Sequence, residues 1–139
     1  MERYAVLLSR ILLAHIFVIA GIGKIGNYAG TQGYMESMGV SGSLLPLVIL
    51  LELGGGLALI LGWKTRWAAL ALGGFSILAG AIFHHNFADQ MQMIMFMKDL
   101  AIAGGMLLLA VHGAGELSVD YKLSKRADQH MGTPHLGVR

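Results

Sequence analysis

Four apolar stretches, each of about 20 residues, dominate this chain at positions 4–23, 44–62, 67–83 and 91–111. A hydrocarbon core of roughly 30 Å needs about 20 mostly apolar residues in a helix to cross it, so a bilayer is the expected solvent. Together the four stretches hold only four formal charges, Arg10, Glu52, Lys98 and Asp99, with Lys24 just past the first. The whole chain of 139 residues is 55% hydrophobic and 13% charged. Soluble domains average about 25% charged residues, which sets a soluble globular fold aside, and so much apolar sequence sets disorder aside as well. The expected fold is all-α: an integral membrane four-helix bundle over residues 1–115, followed by a polar cytoplasmic tail over 116–139.

Arg3 and the small residues Ala20 and Gly21 resemble parts of a cleaved signal peptide. Arg10 and His15 interrupt the apolar region and three more spans follow, so a retained first helix is the better reading. Orientation follows from the positive residues, which are retained in cytoplasmic loops. Arg3, Lys64, Arg66, Lys122, Lys125, Arg126 and Arg139 fall on one side, and Lys24 alone on the other. Both termini are therefore expected in the cytoplasm, with Trp63 and Trp67 at the interface beside the basic turn. The outer connection, 24–43, is rich in glycine and carries Tyr28, Tyr34, Met35 and Met38. Its glycines argue against a long helix, but 31–38 fits two amphipathic turns lying over the bundle as a lid, with Thr31 as N-cap. Gly113 and Gly115 should end the last span, and residues 129–139 should be loosely ordered.

Glycines recur inside the spans, where small residues let helix backbones approach closely. Ala69, Gly73, Ser76, Gly80 and His84 follow steps of three and four, which gives them one face of the third helix, expected to look inward. The same glycine faces suit a homo-oligomer equally well.

Charges inside a membrane are costly and mark function by default. With the termini inside, Glu52 and Asp99 each lie eight residues from the outer end of their span, about 12 Å deep. Lys24 stands at the outer mouth, Lys98 precedes Asp99, and His84 and His85 close the third helix. Lys24, Glu52, Lys98 and Asp99 sum to zero charge. These four and His84 are the candidate ligand-binding residues, with Glu52 and Asp99 the candidate proton-handling, catalytic ones. Glu52 is expected to pair with Lys24 or Lys98, and Lys98 or Asp99 to reach across to it. The plainer reading is that such a pair only fixes helix register. Arg10 is expected to snorkel to the inner surface, and His15 to be a hydrogen-bonded core histidine.

Other chemistries fit less well. The chain has no cysteine, which removes thiol exchange and Cys-based metal sites. His15, His84 and His112 sit at three different depths, unsuited to haem. His84, His85 and Asn86 with Met91, Met93, Met95 and Met97 invoke copper, but methionines two apart do not share a helix face. No metal site is expected. The run from Gly21 to Lys24 lacks the remaining residues of a phosphate loop, and no nucleophile triad or HExxH motif occurs. The small, scattered positive excess gives no sign of a nucleic-acid partner.

In Gly21 and Lys24, in Leu51, Glu52, Leu53, Gly54 and Gly55, in Gly62 and the basic turn, in Phe83, His84 and Asn86, and in Gly113, Gly115, Ser118 and Asp120, the sequence resembles the DoxX family of small bacterial inner-membrane proteins. The resemblance runs from Arg3 to Asp120. It implies a multi-pass, four-helix inner-membrane protein. The family takes its name from a subunit of a thiosulfate-oxidising, quinone-reducing complex, which implies an accessory of redox or stress metabolism with a redox-enzyme partner. A charged floor under tyrosines and methionines suits an amphipathic molecule with a polar head, and quinone is the candidate cofactor. No electron carrier is evident, so a complete oxidoreductase is not expected. The alternatives are a structural anchor whose basic tail recruits a soluble partner, and a small-solute permease.

Overall fold

The computed structural model describes residues 1–132, and among them every regular element is helical. Four long helices are α1 (Glu2–Gly26), α3 (Leu45–Leu61), α4 (Thr65–Phe83) and α5 (Gln90–His112); all are long and apolar enough to cross a membrane. Two shorter ones, α2 (Tyr28–Ser37) and α6 (Val119–Met131), follow α1 and α5. The four long helices are the expected spans, each extended or trimmed by a few residues at its ends.

α1 packs extensively on α3, and α4 on α5; α3 and α4 join the two pairs, while α1 and α5 touch only sparsely. Close approach depends on missing side chains. A Cβ at Gly56 would lie 2.7 Å from Val18 of α1, and one at Gly73 would lie 3.1 Å from Met106 of α5. The expected inward face of α4 is confirmed in its buried Ala69, Gly73, Ser76 and Gly80. Leucines and isoleucines elsewhere, such as Ile19, Leu50, Leu78 and Leu107, are half or more exposed around the bundle, as lipid-facing residues are.

The packed core is confined to one half. Ala14, Phe17, Leu59, Ala69, Leu72, Met106, Leu109 and Ala110 fill the bundle toward the α3–α4 turn. That end is locked by Arg10, which is fully buried instead of snorkelling. Its guanidinium donates to the carbonyls of Leu59 and Leu117, binding α1 to the end of α3 and to the segment before α6. Gly62 takes a left-handed conformation at φ 71°, and a side chain there would run into Arg10 and Ser118. The Asp120 carboxylate accepts from the backbone amides of Lys64 and Thr65 at 2.7 and 3.0 Å, capping α4, while its own amide donates to Gly62. The polar tail therefore begins as a docked segment. It continues as α6, N-capped by Ser118, so positions 129–131 are helical and not loose; 133–139 lie outside the described residues.

The opposite end differs from expectation in two ways. α1 continues through Gly23 to Gly26, and the lid helix starts at Tyr28, with Asn27 in the N-cap position. Thr31 is thus inside α2, its hydroxyl donating to the Asn27 carbonyl at 2.8 Å. Propensity was overridden because burying Met35 under the lid, and tying Gln32 to the Gly42 carbonyl at 3.1 Å, hold the short helix against the bundle.

Candidate functional site

Helical spacing brings polar residues from each long helix, or from its end, to the half that the apolar core leaves unfilled. On α1 the buried line Arg10, Ala14, Phe17 and Gly21 continues, one step further, to Lys24. On α3 Glu52 lies on the line of Leu45, Gly56 and Leu59. His84 follows the inward face of α4, and Lys98 and Asp99 both sit about two turns before the buried Met106 of α5. All five predicted residues, Lys24, Glu52, His84, Lys98 and Asp99, line one cavity of about 310 Å³.

Glu52 is 1% exposed, and its Oε1 stands 2.7 Å from Lys24 Nζ. This is the expected pairing, with Lys24 as the partner. The contact is electrostatic without the directionality of a hydrogen bond, and among the described residues neither Glu52 oxygen has a hydrogen-bond partner. Neither residue expected to cross to Glu52 does so. Asp99 turns to His84, with Nδ1 and Oδ2 2.9 Å apart. Lys98 Nζ contacts the Met95 sulfur at 3.4 Å and has no carboxylate within ion-pair reach among the described residues. Lys24 reaches Glu52 first because it enters from the mouth along the closely packed α1–α3 interface. The Asp99 carboxylate fits against α4 because position 80 is glycine: a Cβ there would stand 3.1 Å from Oδ2.

The remaining wall is apolar and aromatic. Phe17, Phe75, Phe83 and Ile102 line the cavity beside Met35. Tyr34 of α2 stacks on Phe83 with centroids 5.5 Å apart and planes at 26°, so the lid closes on the last turn of α4. Thr31 and Tyr34 of the lid also line the space, whereas Tyr28 and Met38 do not. Phe83 was named only within the family resemblance, and Phe17 and Phe75 were not singled out from sequence, since an apolar residue in an apolar helix carries no mark of its azimuth. Ser76 could be found, by its place on the small-residue face.

The other histidines among the described residues lie apart from the cavity. His15, expected in the core, is exposed on the outward face of α1, and its Nδ1 is satisfied by the Leu12 carbonyl at 2.5 Å. The reason is register: the inward line of α1 passes through Ala14 and Phe17, which leaves His15 between them on the far side. His85 is exposed and bonded to Ile82. Met91, Met93 and Met97 face outward, while Met95 lines the cavity. Among the described residues no three of His, Asp or Glu converge in a way that could hold a metal ion.

The DoxX family model matches residues 5–85, which contain α1 through α4 and with them Lys24, Glu52 and His84. The chain is 54% identical over 126 residues to inner membrane protein YqjF of Escherichia coli, covering 91% of this chain and 97% of that one. It is 35% identical over 122 residues to inner membrane protein YphA of the same organism, covering 82% and 86%. No solved structure gives a significant match. Two relatives named for the same membrane, a family model over more than half the chain and four membrane-length helices lead to one conclusion: the chain belongs to the DoxX family and is a multi-pass protein of the inner membrane.

Proposed function

We propose that this protein binds a small amphipathic molecule of the quinone class in the cavity under α2, on the periplasmic side of the membrane, as an accessory of redox metabolism. The observation that carries this reading is a cavity lined both by the buried, ion-paired Glu52 and by Lys98, which has no carboxylate within reach among the described residues. A charge inside a membrane is costly without a partner, and a ligand oxygen placed at Lys98 supplies one. The volume of about 310 Å³ is at the low end of small-molecule sites, which run from roughly 300 to 1,000 Å³. It suits a single ring, held between Phe17, Phe75 and Phe83, better than a whole lipid. An apolar tail leaves through the α1–α5 seam, where the two helices pack only sparsely.

Each polar group then has a task. Lys98 donates to a ring oxygen. Glu52 accepts from, or exchanges a proton with, the head group, and Lys24 balances its charge. Asp99 orients His84 through Nδ1, leaving the other ring nitrogen for proton exchange toward the outer surface. A quinone supplies two-electron chemistry when bound; the chain's own residues bind, orient and move protons, and a partner enzyme supplies or removes electrons. Purification in mild detergent, followed by lipid extraction and chromatography, tests this. The native protein should carry quinone, and Glu52→Gln and Lys98→Met should carry several-fold less. Equal loading in all three would place the site elsewhere, and no loading in the native protein would end the reading.

One observation favours a second role for the same protein. α6 has no buried residue and presents Lys122, Lys125 and Arg126 beyond its docked first turn. It is the surface through which a soluble partner is recruited, and its removal should cost the partner but not the ligand.

A further inference from the structure

Resting on the ring-binding reading, we infer that Met95 is an oxidation site, and that hydrogen peroxide closes the cavity to its ligand by converting Met95 to the sulfoxide. Met95 and Lys98 stand one turn apart on α5, both line the cavity, and the Lys98 ammonium donates to the Met95 sulfur at 3.4 Å. Lys98 has no carboxylate in reach among the described residues. Among those residues Met95 is the methionine whose sulfur takes an ammonium. Met35 shares the cavity but not this contact, Met91, Met93 and Met97 face outward, and Met106 is enclosed in the apolar core. The cavity meets the outer mouth at Lys24 and His84, 28% and 21% exposed, and hydrogen peroxide is little larger than the water such an opening admits.

The oxidation needs no reactant beyond the peroxide. A sulfur lone pair attacks one peroxide oxygen and the O–O bond breaks, so sulfur is oxidised and peroxide reduced. The departing oxygen takes a proton from the Lys98 ammonium and leaves as water. The new S–OH group then returns its proton to the Lys98 amine, which gives the sulfoxide and restores the ammonium. Lys98 has three donors, so one can rest on sulfur while another serves the departing oxygen as a positioned acid. The product differs from the thioether in what it offers Lys98. A thioether sulfur is a weak acceptor, whereas the sulfoxide is polar and presents an oxygen. The ammonium therefore gains a partner on its own helix, and that oxygen takes the position from which Lys98 would hold the ring.

The test exposes the full-length protein in mild detergent to dilute hydrogen peroxide and follows each methionine by peptide mass spectrometry. Met95 should gain oxygen about tenfold faster than Met35 and Met97, and Lys98→Leu should abolish that lead. Equilibrium binding of a short-chain benzoquinone, measured before and after treatment, should weaken about tenfold in the native protein, the loss expected when a charged donor is withdrawn. Met95→Leu should give the same affinity before and after. The native measurements stand alone if a variant does not fold. Three results would overturn the inference and leave the ring-binding site intact: oxidation of Met95 no faster than that of Met35, native binding unmoved by complete oxidation of Met95, or a loss of affinity on treatment in Met95→Leu. Absence of benzoquinone binding before treatment would overturn the site and its closure together.

Discussion

The Lys24–Glu52 pair predicts an asymmetry that a merely structural contact between two surface groups would lack. Glu52 is 1% exposed and Lys24 28% exposed, so the two ends of one ion pair lie in different environments. At 2.7 Å and an effective dielectric of about 20, the attraction between unit charges is about 6 kcal/mol, most of which only offsets the cost of removing the carboxylate from water. Lys24→Met leaves that carboxylate buried and uncompensated, at a cost of about 3–5 kcal/mol. Glu52→Gln leaves an ammonium at the mouth that turns outward to water, and should cost only about 1 kcal/mol. The double variant has no buried charge and should resemble Glu52→Gln, which makes the coupling about 3–5 kcal/mol. Reversible unfolding from mild detergent into sodium dodecyl sulfate, followed by the fluorescence of Trp63 and Trp67, measures all four proteins. Additive effects, or a Lys24→Met variant milder than Glu52→Gln, would refute the pairing and with it the argument for a charged cavity floor.

Glycine substitutions should divide by what a Cβ meets. Gly56→Ala, whose Cβ would stand 2.7 Å from Val18, should cost about 1–3 kcal/mol in the same unfolding assay, whereas Gly54→Ala, with open space around it, should be neutral or stabilise by up to about 1 kcal/mol. Asp120→Ala removes the cap of α4 and should cost about 1–2 kcal/mol, together with faster hydrogen exchange at Lys64 and Thr65; unchanged exchange would show that the cap is dispensable. Tyr34→Ala removes the lid's stack on Phe83, worth about 0.5–1.5 kcal/mol, and should speed ligand release by roughly 2- to 12-fold with little change in fold stability. Because the chain has no cysteine, Ala88→Cys and Ser124→Cys give a direct topology test: a membrane-impermeant maleimide should label the first in intact cells and the second only after lysis.

Some of this was legible in the residues and some was not. The glycines of 24–43 argue against a long helix and two turns over 31–38 were expected, yet α2 starts earlier, at Tyr28, and is held because Met35 has a buried place to go, an energy that local propensity does not contain. Arg10 reads as a snorkelling residue from its position near an end, yet it is enclosed because α3 and the stretch before α6 present carbonyls to it. Ser118 and Asp120 lie 56 or so positions from the turn they stabilise, and only chain reversal through α5 brings them back to it.

The sequence by itself determined the number of spans, their apolar character, the inward face of α4 and the common depth of the polar residues. These follow from hydropathy and from the 3.6-residue period, both properties of a single helix. Tertiary structure alone decided that Glu52 goes to Lys24 while Asp99 goes to His84, that Lys98 is left without a carboxylate among the described residues, and that the space among them is capped by Tyr34. The reason is geometric: equal depth makes several pairings available, and which one forms depends on the rotation of each helix about its axis, set by where glycines allow neighbouring backbones to meet.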